Sequence, residues 1–190
     1  MKLISDYFNL DSSEMEQIDA WKNHPYANNL RKYLFKNCDE YGMRDLVEDH
    51  LHHCLHENTK RLAVCYKNPE YKLANGEEEI AGFALIEIYK DKRSKERICY
   101  IDYICTNPEY LFANIPGVGR YMINDIVNNN DNVLDLRKNQ QIDLFMAQIV
   151  KDNVASKKIF KSAGFEIEET PSNFVAIKRQ PSETDENERI

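Results

Sequence analysis

The sequence predicts an α/β fold in which one central sheet carries helices on both faces. Three observations predict it: a helical period through the first 58 residues, β-rich apolar runs between Lys60 and Thr106, and then helix, strand and helix before two closing strands.

The elements follow in order. Ser12 or Ser13 can cap a helix running through "EMEQIDAW", and "NNLRKYLFK" continues the helical period. "MRDLVEDHLHHCLHE" puts Leu46, Val47, Leu51, Cys54 and Leu55 on one face, so residues 1–58 read as mostly helical. After Asn58, "RLAVCY" and "EIAGFALIEIY" read as buried strands joined by the turn-forming "KNPEYKLANGEE", and "RICYIDYICT" is a third strand. A helix after Gly119 buries Val118, Met122, Ile123, Ile126 and Val127. The strand "IDLFMAQIV" follows, then a helix from Asp152 to Ala163, then "FEIEE" and "FVAIKR". Asp152 and Asn153 are its cap candidates, Ala155, Ile159 and Ala163 share a side, and Gly164 suits the C′ position. Phe165 at C″ can then touch Phe160 at C3.

Length and composition bound the function classes. At 190 residues, residues 1–178 suit one domain, with 179–190 as a disordered acidic tail. Hydrophobic residues at 42% and charged residues at 30% are globular values, and no apolar run approaches the roughly 20 residues of a membrane span. "MKLISDYFNL" lacks a signal-peptide core, which leads to the expectation of a cytoplasmic protein that does not engage a membrane. The five cysteines are odd in number and scattered, unlike a disulfide framework. Net charge is -7, of which Glu183, Asp185, Glu186 and Glu188 against Arg189 place three in the tail. A mildly acidic body argues against a nucleic-acid surface and permits a cationic substrate.

One stretch asks for chemistry. "NIPGVGR", Asn114 to Arg120, sets Gly117 and Gly119 directly ahead of an apolar-periodic helix with no Ser, Thr or Asp cap. Paired glycines indicate positive φ or close approach of another group, and an anion can satisfy the orphan amides that open a helix. No Lys-Ser/Thr pair follows, and a third glycine is absent, so neither a Walker loop nor a dinucleotide fingerprint is present. By itself "GVG" fits a tight turn as well as a ligand site.

A second motif, "NVASKKIFKSAGF" from Asn153 to Phe165, stands beyond the strand "IDLFMAQIV". Together the two segments resemble the GNAT acyltransferase superfamily. That family carries (Gln/Arg)-x-x-Gly-x-(Gly/Ala) after its fourth strand, matched in spacing by Asn114, Gly117 and Gly119 with Asn in the first place, and later Asn-x-x-Ala-x-x-Leu-Tyr-x-x-x-Gly-Phe. The second pattern is matched by Asn153, Ser156, Ile159, Phe160, Gly164 and Phe165. The resemblance covers residues 60–178, with 1–58 as a helical substrate-side segment. It implies a mixed, largely antiparallel sheet of about six or seven strands with N-terminal helices first.

It also implies an N-acyltransferase moving an acetyl group from acetyl-CoA to a primary amine, by direct attack in a ternary complex. The pyrophosphate would rest on the amides of Ile115, Gly117, Val118, Gly119 and Arg120, beside Asn114. The pantetheine arm would pair like an added strand with the backbone of Ile104, Cys105 and Thr106, and Asn153 would hydrogen-bond it from the other side. The acceptor would be a small-molecule or peptide amine, the cofactor acetyl-CoA, the state monomer or homodimer. Three features depart from the pattern: the turn before Gly117 is about three residues longer, Asn114 replaces the customary Gln or Arg, and Phe160 stands where many members place a tyrosine thought to protonate the departing thiolate.

An alkyl amine with pKa about 10.4 needs a base. Strand alternation groups Tyr100, Asp102, Ile104 and Thr106, so Asp102 is the candidate base, or else a hydrogen-bonded strand residue. Tyr100 can donate a proton in place of the absent hydroxyl, or serve as a core aromatic. Glu87 on the neighbouring strand is a weaker candidate base and reads better as a solvated or rim charge. Cys105 has the opposite parity and no histidine nearby, which suits a small buried hydrophobe better than a nucleophile. His52 and His56, at i and i+4, can share a metal but need further ligands, so a solvated flank is the better reading and no metal is expected. A second functional reading keeps the same fold: a catalytically silent acyl-CoA-binding sensor or interaction module, which Phe160 favours.

Overall fold

Branched and aromatic side chains fit a pleated, half-buried surface, and the runs rich in them form the strands. The computed structural model describes residues 3–9, 60–72, 78–107, 117–128 and 141–180. In chain order these are β1 (Ile4–Asn9), β2 (Lys60–Lys72), β3 (Glu78–Lys90), β4 (Arg97–Thr106), α1 (Val118–Asn128), β5 (Leu144–Val150), α2 (Val154–Ser162), β6 (Glu166–Glu169) and β7 (Asn173–Arg179). They build a seven-stranded sheet in the order β1-β2-β3-β4-β5-β7-β6. The pairing is mixed: β4 and β5 run parallel, whereas β1–β2, β5–β7 and β6–β7 are antiparallel. A parallel step needs a crossover, and α1 lies on the connection between β4 and β5.

The expectation that the chain starts with helices is corrected at its first described residues. Ile4–Asn9 is a strand, paired antiparallel with β2 from Ile4↔Lys67 to Asn9↔Leu62. Six residues with Ser5, Asp6 and Asn9 among them carry too weak a period to announce a strand, and pairing with β2 decides the matter. The helices expected through residues 12–58 lie outside the described residues, as does the segment 181–190. The turn expected at "KNPEYKLANGEE" is also shorter than its composition implies, because β2 continues to Lys72 and β3 begins at Glu78. Pro69 falls past the β1 ladder, whose last pair on that side is Ile4↔Lys67. The Asn68 carboxamide oxygen there accepts the Glu70 amide at 3.1 Å.

Two compact units divide the chain: Met1–Ile86 with Tyr103–Gly119, and Glu87–Asp102 with Arg120–Ile190. In the first, Val64, Tyr66, Phe83 and Leu85 are fully buried. Asn107 closes the end of β4, its backbone N–H donating to Ala81 O at 2.9 Å and its side-chain amide to Ile80 O at 3.1 Å. In the second, Met122, Ile123 and Ile126 of α1 are buried together with Ile101 and Phe145, which is the helix face the apolar period selects. The β4–β5 ladder there runs from Ile98↔Leu144 to Ile101↔Ala147. Asp143 ties its start, since its carboxylate accepts the Arg97 amide at 2.7 Å and its own amide donates to Arg97 O at 2.9 Å.

Candidate active site

The glycine corner resolves into one residue with a backbone demand and one without. Gly117 is exposed at φ +100, and a Cβ built there meets nothing within 4 Å. Its need is therefore conformational: an L side chain is strained at that φ whatever the space around it. Gly119 instead lies buried in the first turn of α1. Val118, 4% exposed, commits its side chain to the core and could offer a ligand only its backbone, while Arg120 points a cation into solvent. No acidic residue occupies the first turn of α1, and Gly117, Val118 and Gly119 supply no capping oxygen. A helix start built this way suits an anion. Asn114 and Ile115 lie outside the described residues.

In the same unit the end of β4 presents Ile104, Cys105 and Thr106, all half-buried. The Cys105 thiol donates to Thr106 O at 3.7 Å, a local contact with the next residue of the strand. Tyr103 stacks obliquely on Phe83 with ring centroids 6.3 Å apart.

The second unit gathers two carboxylates and two phenols from neighbouring strands. Tyr100 and Asp102 stand two residues apart on β4, both half-buried, and Glu87 and Tyr89 stand two apart at the end of β3. Burial, then the charges of Asp102, Tyr89 and Glu87, push the Tyr100 phenol up to about 12. Tyr89 is raised as well, by burial first and then by Asp91 and Glu87. Asp102 thus acts on the phenol of Tyr100, with which strand alternation groups it. Burial corrects the reading of Glu87, which is 2% exposed and not a solvated rim charge. Every residue of β3 from Ile80 to Ile88 is buried, whichever face its side chain takes. The signal in the sequence was an acid inside an unbroken apolar run, where a carboxylate needs company to remain.

On α2, Asn153 is the N-cap, its Oδ1 accepting the Ser156 amide at 3.0 Å. The helix ends as its sequence foretold. The Phe165 amide donates to Phe160 O at 3.1 Å and the Gly164 amide to Lys161 O at 3.0 Å, with Gly164 at φ +82, the paired bonds of a Schellman ending. Phe160 is 2% exposed and meets Phe165 edge to face with centroids 5.1 Å apart. The Lys178 ammonium donates to Ala163 O at 2.8 Å, at the negative end of the helix. His52 and His56 lie outside the described residues.

No protein-family profile matches the chain, and no curated protein does. Solved structures match in fold over nearly the whole chain. A protein of Pyrococcus horikoshii OT3, PH1933, superposes with a TM-score of 0.54 at 12% identity, covering 94% of this chain and 100% of its own. NAA60 of Arabidopsis thaliana, solved in complex with a bisubstrate analogue, gives 0.53 at 9% identity over 94% and 100%. A Bacillus subtilis acetyltransferase solved in complex with CoA gives 0.52 at 10% identity over 95% and 100%. At such identities the likeness is one of fold.

Proposed function

We propose, from the premise that this chain has the fold of the GNAT N-acetyltransferases, that it moves an acetyl group from acetyl-CoA to a primary amine. The observation that carries the reading is the corner at Gly117, whose left-handed backbone opens directly into a helix with no acid in its first turn. A diphosphate fits that chemistry, held by the amides of Val118, Gly119 and Arg120 with Asn114 and Ile115 ahead of them. Ile104, Cys105 and Thr106 would receive the pantetheine arm along their backbone, and the Nδ2 of Asn153 remains the donor for it, because Oδ1 caps α2.

Within this reading Asp102 takes a proton from the incoming ammonium, directly or through water. The neutral amine then attacks the thioester carbonyl, the C–N bond forms, the C–S bond breaks, and the acetyl group leaves with the amine. A backbone amide near Cys105 supplies the donor for the oxyanion. As the amide forms, the nitrogen loses its second proton, which passes through water to the thiolate, since the thiol has pKa about 8.5 and the Tyr100 phenol is a weaker acid than that. Tyr100 therefore acts as a hydrogen-bond donor beside Asp102. Phe160 has no proton to give and serves α2 through its contact with Phe165. Residues 1–178 form one catalytic domain in this reading, monomeric or homodimeric, and the free thiols Cys65, Cys99 and Cys105 suit a reducing, cytoplasmic setting.

The test is thiol release from acetyl-CoA across a panel of small and peptide amines. Turnover by the wild type, lowered about 10²–10⁴-fold in Asp102→Asn, supports the base assignment. The second reading, a silent acyl-CoA sensor, rests on Phe160 and the high phenol pKa of Tyr100, and it requires coenzyme A binding with no turnover on any amine.

A further inference from the structure

The two faces of the second unit's sheet are covered unequally. β7 runs antiparallel to both β5 and β6, so β6 is parallel to β5, as β5 is to β4. Two right-handed crossovers stepping in the same direction put α1 and α2 on the same face. That face holds Phe145, Ala147, Ile149 and Ala176, all buried. α2 seals it, with the Lys157 Nζ 3.5 Å from the centre of the Phe174 ring and the Lys178 Nζ donating to Ala163 O at 2.8 Å.

The registers fix what stands on the other face. Tyr100 lies opposite Met146, Met146 opposite Ile177 and Ile177 opposite Glu166, so these four form one row across β4, β5, β7 and β6. Asp102, two residues on from Tyr100, takes the same face. Gln148 lies opposite Val175, and Val175 opposite Glu168, in the row beyond. Met146, Val175 and Ile177 are only half-buried, and Val150, at the end of the same face of β5, is 50% exposed. An apolar strip thus stays open beside the candidate base. Carboxylates stand at both its margins: half-buried Asp102 on β4, and exposed Glu166 and Glu168 on β6, three strand spacings or about 14 Å away. Arg179, the cation that β7 carries on this face, is already paired with Glu96.

We propose that this face receives the acceptor, and that the acceptor is a primary amine with an apolar chain, its nitrogen at Asp102 and its carbons laid over Met146, Ile177 and Val175 toward β6. The inference rests on the acetyl-transfer reading for its chemistry and names the substrate class of that same site. Charge selects the sign of the occupant, because carboxylates at both margins repel an anionic amphiphile and attract a cationic one. Apolar area selects the chain: a small hydrophilic amine leaves the strip in water, whereas an alkyl chain removes it from water. A second copy of the chain is disfavoured, since a two-fold contact through this face brings like carboxylates together.

Methionine-methyl NMR of the full chain tests this without needing turnover. Met146 reports on the face, Met122, fully buried in α1, is the internal control, and Met146→Leu assigns the reporting signal. Octylamine should shift Met146 saturably and leave Met122 in place. Its Kd should lie about sixteenfold below that of butylamine, at about twofold per CH2 on a half-buried face. Octanoate, equal in length and opposite in charge, should not bind. Ile177→Thr should shrink the preference for octylamine several-fold, whereas Asp102→Asn should weaken both amines alike. No shift of Met146, equal affinity for the two amines, equal binding of octanoate, or a Met146 shift that follows protein concentration instead of ligand, the mark of a second copy, overturns the inference. Acetyl transfer is read separately on the same amines. Octylamine bound but never acetylated sinks the catalytic reading alone, and turnover without any chain-length preference sinks the docking face alone.

Discussion

Asn153 gives its Oδ1 to the amide of Ser156 at 3.0 Å, so one end of a single carboxamide starts α2 while the other end is the proposed donor to acetyl-CoA. The two duties separate by substitution. Asn153→Asp keeps the cap and loses the Nδ2 donor, whereas Asn153→Ala loses both. Chemical denaturation should show Asn153→Asp near wild type and Asn153→Ala weaker by about 1 kcal/mol. Both should raise the KM for acetyl-CoA, about fivefold for one lost hydrogen bond of about 1 kcal/mol.

Gly117 and Gly164 offer a matched pair. Each has positive φ, at +100 and +82, so alanine at either position should cost about 1–2 kcal/mol of stability. Gly117→Ala should also weaken coenzyme A binding, because it disturbs the corner that opens α1. Gly164→Ala, whose added Cβ meets only the Lys178 Nζ at 3.4 Å, should leave binding unchanged. Melting curves with and without ligand read both effects.

Alkaline pH tests the surroundings of Tyr100. Its phenol titrates near 12 in the folded protein against about 10 in an unfolded chain, so the unfolded state loses its proton first. The contribution is fully present below about pH 10 and is lost as pH rises from there toward 12. Tyr100→Phe removes this titration and should flatten the fall in stability over that window, measured by urea midpoints at stepped pH.

Phe160→Tyr asks whether the missing hydroxyl matters. At 2% exposure, with its ring edge against Phe165, the new hydroxyl enters a packed site and should destabilise the fold by about 1–3 kcal/mol unless it finds a partner. The proposed water-mediated protonation predicts no gain in kcat. A large gain would show that proton delivery to the thiolate limits the wild type.

Legibility followed locality. The end of α2 was readable to the atom because Phe160, Gly164 and Phe165 act on one another across five residues, and the strands β3 and β4 announced themselves by uninterrupted apolar runs. β1 was missed because its identity is set by Lys67 to Leu62 of a distant strand. Burial of Glu87 was missed for the same reason: what covers β3 on both faces comes from parts of the chain remote from residue 87, not from the sequence around it. Of the glycine corner, the positive φ at Gly117 was foreseeable as one of two demands, whereas only backbone geometry shows that Gly119 lies in a regular helical turn.

The most direct measurement is a calorimetric titration of coenzyme A into the folded full chain, repeated with Gly117→Ala. The account predicts one saturable site, a matching rise in melting temperature equivalent to about 2.7 kcal/mol at a hundredfold excess over Kd, and weaker binding in the variant. Absence of heat and of any melting shift at millimolar coenzyme A, with the fold intact by circular dichroism, contradicts it.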